Sequence, residues 1–161
     1  MLELADGRTL FESNAILWYL AAGTPLLPAD SYAQADVCRW LIYEQTDVMP
    51  MVGGLRFRLA TRRFAPDSEE ALTRLEGAHE ALSTLDRWLA DQPFVAAGRY
   101  TIADIAAYAY SHLAGDVGID VDAYPSLRQW LGRVEAQPGF IDDLEPYPPN
   151  ASVLAGKSIY G

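Results

Sequence analysis

A chain of 161 residues, half of them hydrophobic, is long enough to bury one substantial core and too apolar to be a disordered polypeptide. Its formal charge of −10 argues against nucleic acid and anionic membrane surfaces as partners, since both attract basic patches, and no long apolar span or charged-then-apolar leader is present. The single cysteine, Cys38, excludes an intramolecular disulfide and makes a reduced cytoplasm the expected location.

Residues 1–4 read as a strand, Ala5, Asp6, Gly7 and Arg8 as a tight turn, and residues 9–11 as the returning strand of a β-hairpin. A helix over 13–22 follows, with Ile16, Leu17 and Leu20 on one face. Gly23 stops it, and residues 24–30, which include Pro25 and Pro28, form a linker. Asp30 or Ser31 can cap a long helix carrying Val37, Trp40, Leu41 and Val48, which Pro50 and the Gly53-Gly54 pair should kink or divide. Cys38 falls inside that helical pattern and reads as an inert packed thiol. Arg56, Arg58, Arg62 and Arg63 form the one basic run, read as a solvated helix face, with a wall that attracts an anionic ligand as the sharper alternative.

Asp67 is the expected cap of the next helix, with Glu70 reaching back to it, and Leu72, Leu75, Leu82, Leu85 and Leu89 read as one buried stripe. Helices near 101–115 and 126–136 carry apolar positions at Ile102, Ile105, Ala106, Ala109 and Leu113, and at Leu127, Trp130, Leu131 and Val134. The tail with Pro146, Pro148 and Pro149 is too proline-rich to continue as helix. His79 and His112 lie on different helices without a Cys or carboxylate at ligand spacing, so no metal site is legible.

Two short motifs carry chemistry. In Phe11-Glu12-Ser13-Asn14-Ala15-Ile16 a strand feeds straight into a helix start, where backbone N–H groups lack internal acceptors and the helix dipole favours negative charge. Ser13 adds a hydroxyl and Glu12 an acceptor, so the corner can hold a carboxylate and an ammonium borne by one molecule. Read structurally, Ser13 merely caps the helix. In Tyr100-Thr101-Ile102-Ala103-Asp104-Ile105, Thr101 can accept from a first-turn N–H while Asp104 returns a hydrogen bond to the Thr101 amide, which makes Asp104 a folding residue.

The first motif resembles the glutathione-binding corner of the cytosolic glutathione S-transferase family, whose bacterial branches look closest. The second resembles the N-capping signature of that family's central buried helix. Tyr124-Pro125-Ser126-Leu127 with Trp130-Leu131, then Gln137-Pro138-Gly139-Phe140, is similar to its closing pattern. The resemblance implies a mainly α fold: an all-helical C-terminal domain over 31–161, proline-rich tail included, joined by a linker at 24–30 to a strand-strand-helix remnant of a thioredoxin-like domain over 1–23. It implies glutathione as co-substrate, Glu12 and Ser13 as its binding residues, a small electrophile as second substrate, and a homodimer.

The family's first strand, the helix start bearing the thiol-activating Ser, Tyr or Cys, and the cis-proline loop have no counterpart in the sequence, so its catalytic residue is unknown. Two explanations compete: Met1 is an internal methionine of a longer natural chain, or the short chain covers its exposed sheet by dimerising. The first is favoured because a two-stranded hairpin is marginal alone. Binding of glutathione without conjugation is the resulting expectation, and Tyr43 or Cys38 would be the substitutes if conjugation occurred. The alternative is a non-catalytic helical module for protein association or apolar ligands, which the aromatics Trp18, Trp40, Tyr43, Trp88 and Tyr108 would serve.

Overall fold

Residues 1–142 are described by a computed structural model, and they open with the expected hairpin. Strand β1 (Leu2–Glu3) pairs antiparallel with β2 (Thr9–Leu10), Leu2 opposite Leu10. Asp6 Oδ1 accepts the Arg8 N–H at 3.1 Å, and Gly7 at φ 82° makes the turn. The ladder is shorter than the sequence pattern suggests, because the chain leaves the pairing once Phe11, 71% exposed, has nothing to pack on.

Helix α1 (Ser13–Ala21) is followed by the linker, which is tied down where Ile102 N–H donates to Leu26 O at 3.1 Å. Helix α2 (Ser31–Tyr43) is capped by Asp30, whose side chain accepts from Ala33 N–H at 2.9 Å. Instead of dividing at Pro50, the helix widens. Residues Glu44–Gly53 form a π segment with i→i+5 spacing and run without a break into α3 (Gly54–Ala60). Proline has no N–H to donate, and the wider turn accommodates it within the continuous helical run. Gly53 is there because α5 passes so close that a Cβ would enter the ring of Tyr110.

Helix α4 (Glu69–Leu89) is capped by Ser68, whose Oγ accepts from Ala71 N–H at 3.2 Å, so Asp67 is not the cap. The face turned to the core carries Ala71, Ala78, Ala81, Leu82, Leu85 and Leu89, while Leu75 is half-buried and Leu72 is 52% exposed. Helix α5 (Ile102–Ser111) leads through short 3₁₀ turns at Ala114–Val117 and Val121–Ala123 into α6 (Pro125–Glu135). The cap of α6 comes from another helix: Asp86 Oδ1 on α4 accepts the N–H groups of Ser126 and Leu127 at 2.8 and 3.0 Å. The expected proline-rich tail lies outside the described residues.

Helix α5 sits at the centre, against α1, α2, the π segment and α6. At its start Thr101 Oγ1 accepts from Ala103 N–H at 3.3 Å, and Asp104 Oδ2 accepts from Thr101 N–H at 2.9 Å and its hydroxyl at 3.2 Å. Asp104 Oδ1 takes Val95 N–H and the Trp130 indole N–H, both at 2.9 Å. Thr101 and Asp104 are both fully buried. Burial pushes the Asp104 carboxyl above the usual carboxylate range despite these donors.

Three expected placements are corrected. Cys38 is exposed, because α2 buries Val37, Trp40 and Leu41 and turns the thiol outward. On α5, Ile102 and Ala106 are buried, but Ile105 is only half-buried and Ala109 is exposed. The arginine run is not simply solvated: Arg56 Nε meets Asp116 Oδ2 at 2.6 Å, and Arg58, half-buried, donates to Gly54 O at 2.9 Å beneath the ring of Phe64.

Replacing Asp104 with Ala leaves the donors of Thr101, Val95 and Trp130 without an acceptor inside the core, and should cost about 3 kcal/mol in urea denaturation. Glu44 yields a second expectation. It is 1% exposed, and burial raises its pKa although Asn14 and Gln45 donate to it. A raised carboxyl favours the protonated fold, so its penalty is absent below the ordinary glutamate range and sets in as pH rises through the folded pKa. Glu44→Gln should therefore melt above the parent at neutral pH, and the gap should close as the pH is lowered toward about 4.

Candidate functional site

The corner at the start of α1 is built on a strained residue. Glu12 has φ 67° and ψ 118°, a backbone region that a side-chain-bearing residue rarely occupies, and no side chain caps the helix it precedes. The first helical hydrogen bond runs from Ile16 N–H to Glu12 O at 3.0 Å. The N–H groups of Ser13, Asn14 and Ala15 are thus at the open, positive end of the helix. Glu12 and Ser13 are both exposed, so the structure brings the two sequence-selected residues together at one accessible corner. Ser13 does not cap.

Asn14, which the sequence reading passed over, holds this corner in place. Its Nδ2 donates to Leu41 O at 3.1 Å and to Glu44 Oε2 at 2.9 Å, tying the first turn of α1 to the junction of α2 and the π segment. An Asn at the second helical position followed about thirty residues later by a Glu in an apolar helix is the signal, but only the fold shows that they meet.

One groove adjoins the corner, and a second shares Tyr110 with it. The first, of about 340 Å³, runs from Ser13 and Asn14 past Ile16, Leu17 and Glu44 to the half-open face of α5 at Ile105, Ala109 and Tyr110. The other, of about 370 Å³, lies between Met49, Gly53, Phe57, Arg58, Tyr110 and Leu113. The second groove is apolar with a cationic rim; burial and the neighbouring charges of Arg74 and Arg63 lower the Arg58 pKa, so an anion beside it would be favoured.

Neither substitute for a thiol-activating group fits that role. The Tyr43 hydroxyl donates to Ala81 O at 3.0 Å, and burial raises its pKa, which opposes the phenolate a base would need. Cys38 stands exposed on α2. The histidines are engaged elsewhere: His79 Nδ1 lies 2.6 Å from the Tyr124 hydroxyl, and His112 Nδ1 lies 2.6 Å from Tyr108 O. Thr101 and Asp104 stay in the core as the capping pair and reach neither groove. Of the aromatics, Trp40 is buried among Tyr43 and Trp88, at ring-centroid distances of 5.4 Å from each.

The comparisons agree with this geometry. Residues 48–138 match the model of the glutathione S-transferase C-terminal domain. The chain is 31% identical over 140 residues to the disulfide-bond oxidoreductase YfcG of Escherichia coli, covering 83% of this chain and 64% of the relative, so it spans less than two thirds of that protein. A glutathione S-transferase structure from Pseudomonas fluorescens superposes with a TM-score of 0.83 at 34% identity, over 89% of this chain and 72% of that one. A sphingomonad glutathione S-transferase complexed with glutathione superposes with a TM-score of 0.72 at 31% identity, over 85% and 67% of the two chains. These matches do not favour the alternative of a non-catalytic helical module for protein association or apolar ligands. With the hairpin, the α1 corner and the capped central helix in the expected order, the chain belongs to the glutathione S-transferase family, its C-terminal domain filling the matched region.

Proposed function

We propose that this chain carries the part of a glutathione site that holds the γ-glutamyl end, at Glu12 and Ser13, on the strand-strand-helix segment that precedes the helical domain. The observation that carries the reading is the strained Glu12 next to an uncapped helix start: the N–H groups of the first turn suit the ligand's α-carboxylate, and the Glu12 side chain suits its ammonium. The sphingomonad neighbour complexed with glutathione supports the choice of ligand. On this reading residues 1–23 are part of a thioredoxin-like domain, 24–30 a linker, and 31–161 the helical domain.

In the reaction of a glutathione transferase, the glutathione thiolate attacks an electrophilic carbon. A C–S bond forms, the leaving group departs with its electron pair, and the thiol proton goes to solvent. The apolar groove at Met49, Phe57, Tyr110 and Leu113 suits the electrophile. No helix of the described residues is long and apolar enough to cross a membrane, and the charge of −10 disfavours nucleic acid; a cytoplasmic protein fits both.

The chain as given should bind glutathione weakly and conjugate nothing. Calorimetry is expected to give a millimolar Kd, and Ser13→Ala should weaken it by up to about tenfold, one hydrogen bond's worth. Saturable binding indifferent to Ser13, or robust turnover in a thiol-conjugation assay, would overturn this reading. The chain should also be a homodimer, because Phe11, Tyr19 and Leu20 leave apolar surface on the hairpin and α1. Sedimentation at micromolar concentration is expected to show twice the monomer mass, and a monomer without concentration dependence would refute the dimer.

A further inference from the structure

Arg58 and Arg74 bring two positive charges to one place in a chain whose formal charge is −10. Arg58 lies on α3 and Arg74 on α4, and they converge beside Gly54, their Nη1 atoms 3.1 and 3.7 Å from where a Cβ of that residue would stand. Each donates to a backbone carbonyl, Arg58 to Gly54 O at 2.9 Å and Arg74 to Pro50 O at 2.8 Å. Neither makes an ion pair with a carboxylate of the described residues. Two guanidinium groups this close repel, and an anion between them offsets the repulsion.

The two are not equivalent. Arg74 lines a hollow together with Glu69 and Glu70, which temper its charge. Arg58 lines the groove of Met49, Phe57, Tyr110 and Leu113, where no carboxylate is present, and Arg56 at the same groove is held by Asp116. The Arg58 guanidinium lies over Phe64, 5.6 Å from Cζ to the ring centroid, which steadies the fork. Only its Nη1 is hydrogen-bonded among the described residues, so Nε and Nη2 are left for a ligand. That edge of a guanidinium matches a carboxylate with two parallel N–H···O bonds, while the groove walls take an apolar body.

We propose that the electrophile taken by this groove bears a carboxylate, which Arg58 binds and Arg74 attracts. The proposal rests on the reading of the groove as the electrophile's place and not on glutathione binding at Ser13.

Naphthalene carboxylate and its neutral counterpart naphthalene carboxamide, substituted at the same ring carbon, test it on the whole 161-residue chain. Amide chemical shifts should place both probes at Gly53, Phe57 and Leu113. Calorimetry should give the carboxylate at least about tenfold the affinity of the carboxamide. Arg58→Met should abolish that preference and leave carboxamide binding unchanged, whereas Arg58→Lys should keep part of it, a point charge replacing the fork. Arg62→Met, at an exposed position outside the groove, should keep all of it. If neither probe shifts those residues, the groove is not the electrophile's place, and the proposal falls with that reading. If both bind there equally, or the preference survives Arg58→Met, the groove stands and the proposal alone is overturned. Equal weakening of both probes by Arg58→Met would also overturn it, since Arg58 would then shape the groove without reading charge. So would loss of carboxylate binding in Ser13→Ala, which would seat that charge at the first turn of α1.

Discussion

One carboxylate organises the helical domain. Asp104 accepts four hydrogen bonds from three directions: the start of its own helix at Thr101, the loop before it at Val95, and the indole of Trp130 on α6. A buried charge of this kind is justified only when its lone pairs are all engaged, and a fully engaged one admits few alternative packings. The register of α5 against α6 and the 90s loop is thereby set. Because α5 is the helix against which α1, α2 and the π segment pack, the geometry of the grooves inherits its precision from that capping pair.

The second constraint is the way the long α2–α3 run passes α5. Gly53 allows the Tyr110 ring to lie against the backbone, and Gly77 on α4 does the same for Met51 of the π segment, whose sulfur would lie 2.8 Å from a Cβ there. Close crossings at glycine seat the π segment directly against α5 and α4. The Asn14–Glu44 bond then hangs α1 on that segment, so the open helix end at Ser13 is positioned by two side chains and not by the short hairpin. Packed support behind an accessible helix terminus is the arrangement a small anionic ligand needs.

Much of this was legible in the residues. The order of elements follows from apolar periodicity and from turn residues such as Gly7 and Gly23, and the role of Asp104 follows from its spacing to Thr101, although nothing local announces Val95 or Trp130 as its partners. The failures have a common cause: they depend on which face a helix turns toward neighbours far away in sequence. Ser68 caps where Asp67 was expected, and α4 turns Ala71 and Ala78 to the core and Leu72 to solvent. Cys38 is outward for the same reason. Ala109 has the spacing of a core residue, yet it faces a groove that the described residues leave open. Asn14 and Asp86 act across about thirty and forty residues, a distance at which local pattern is silent.

The central claim is that the first turn of α1 is the glutathione site of this chain. Amide chemical shifts test it residue by residue: with isotope-labelled protein and added glutathione, the N–H resonances of Ser13, Asn14 and Ala15 should move together along one saturating curve, while those around Tyr108 and Glu135 stay still. Shifts centred on the Arg56–Arg58 groove, or none at Ser13 at saturating ligand, would contradict it.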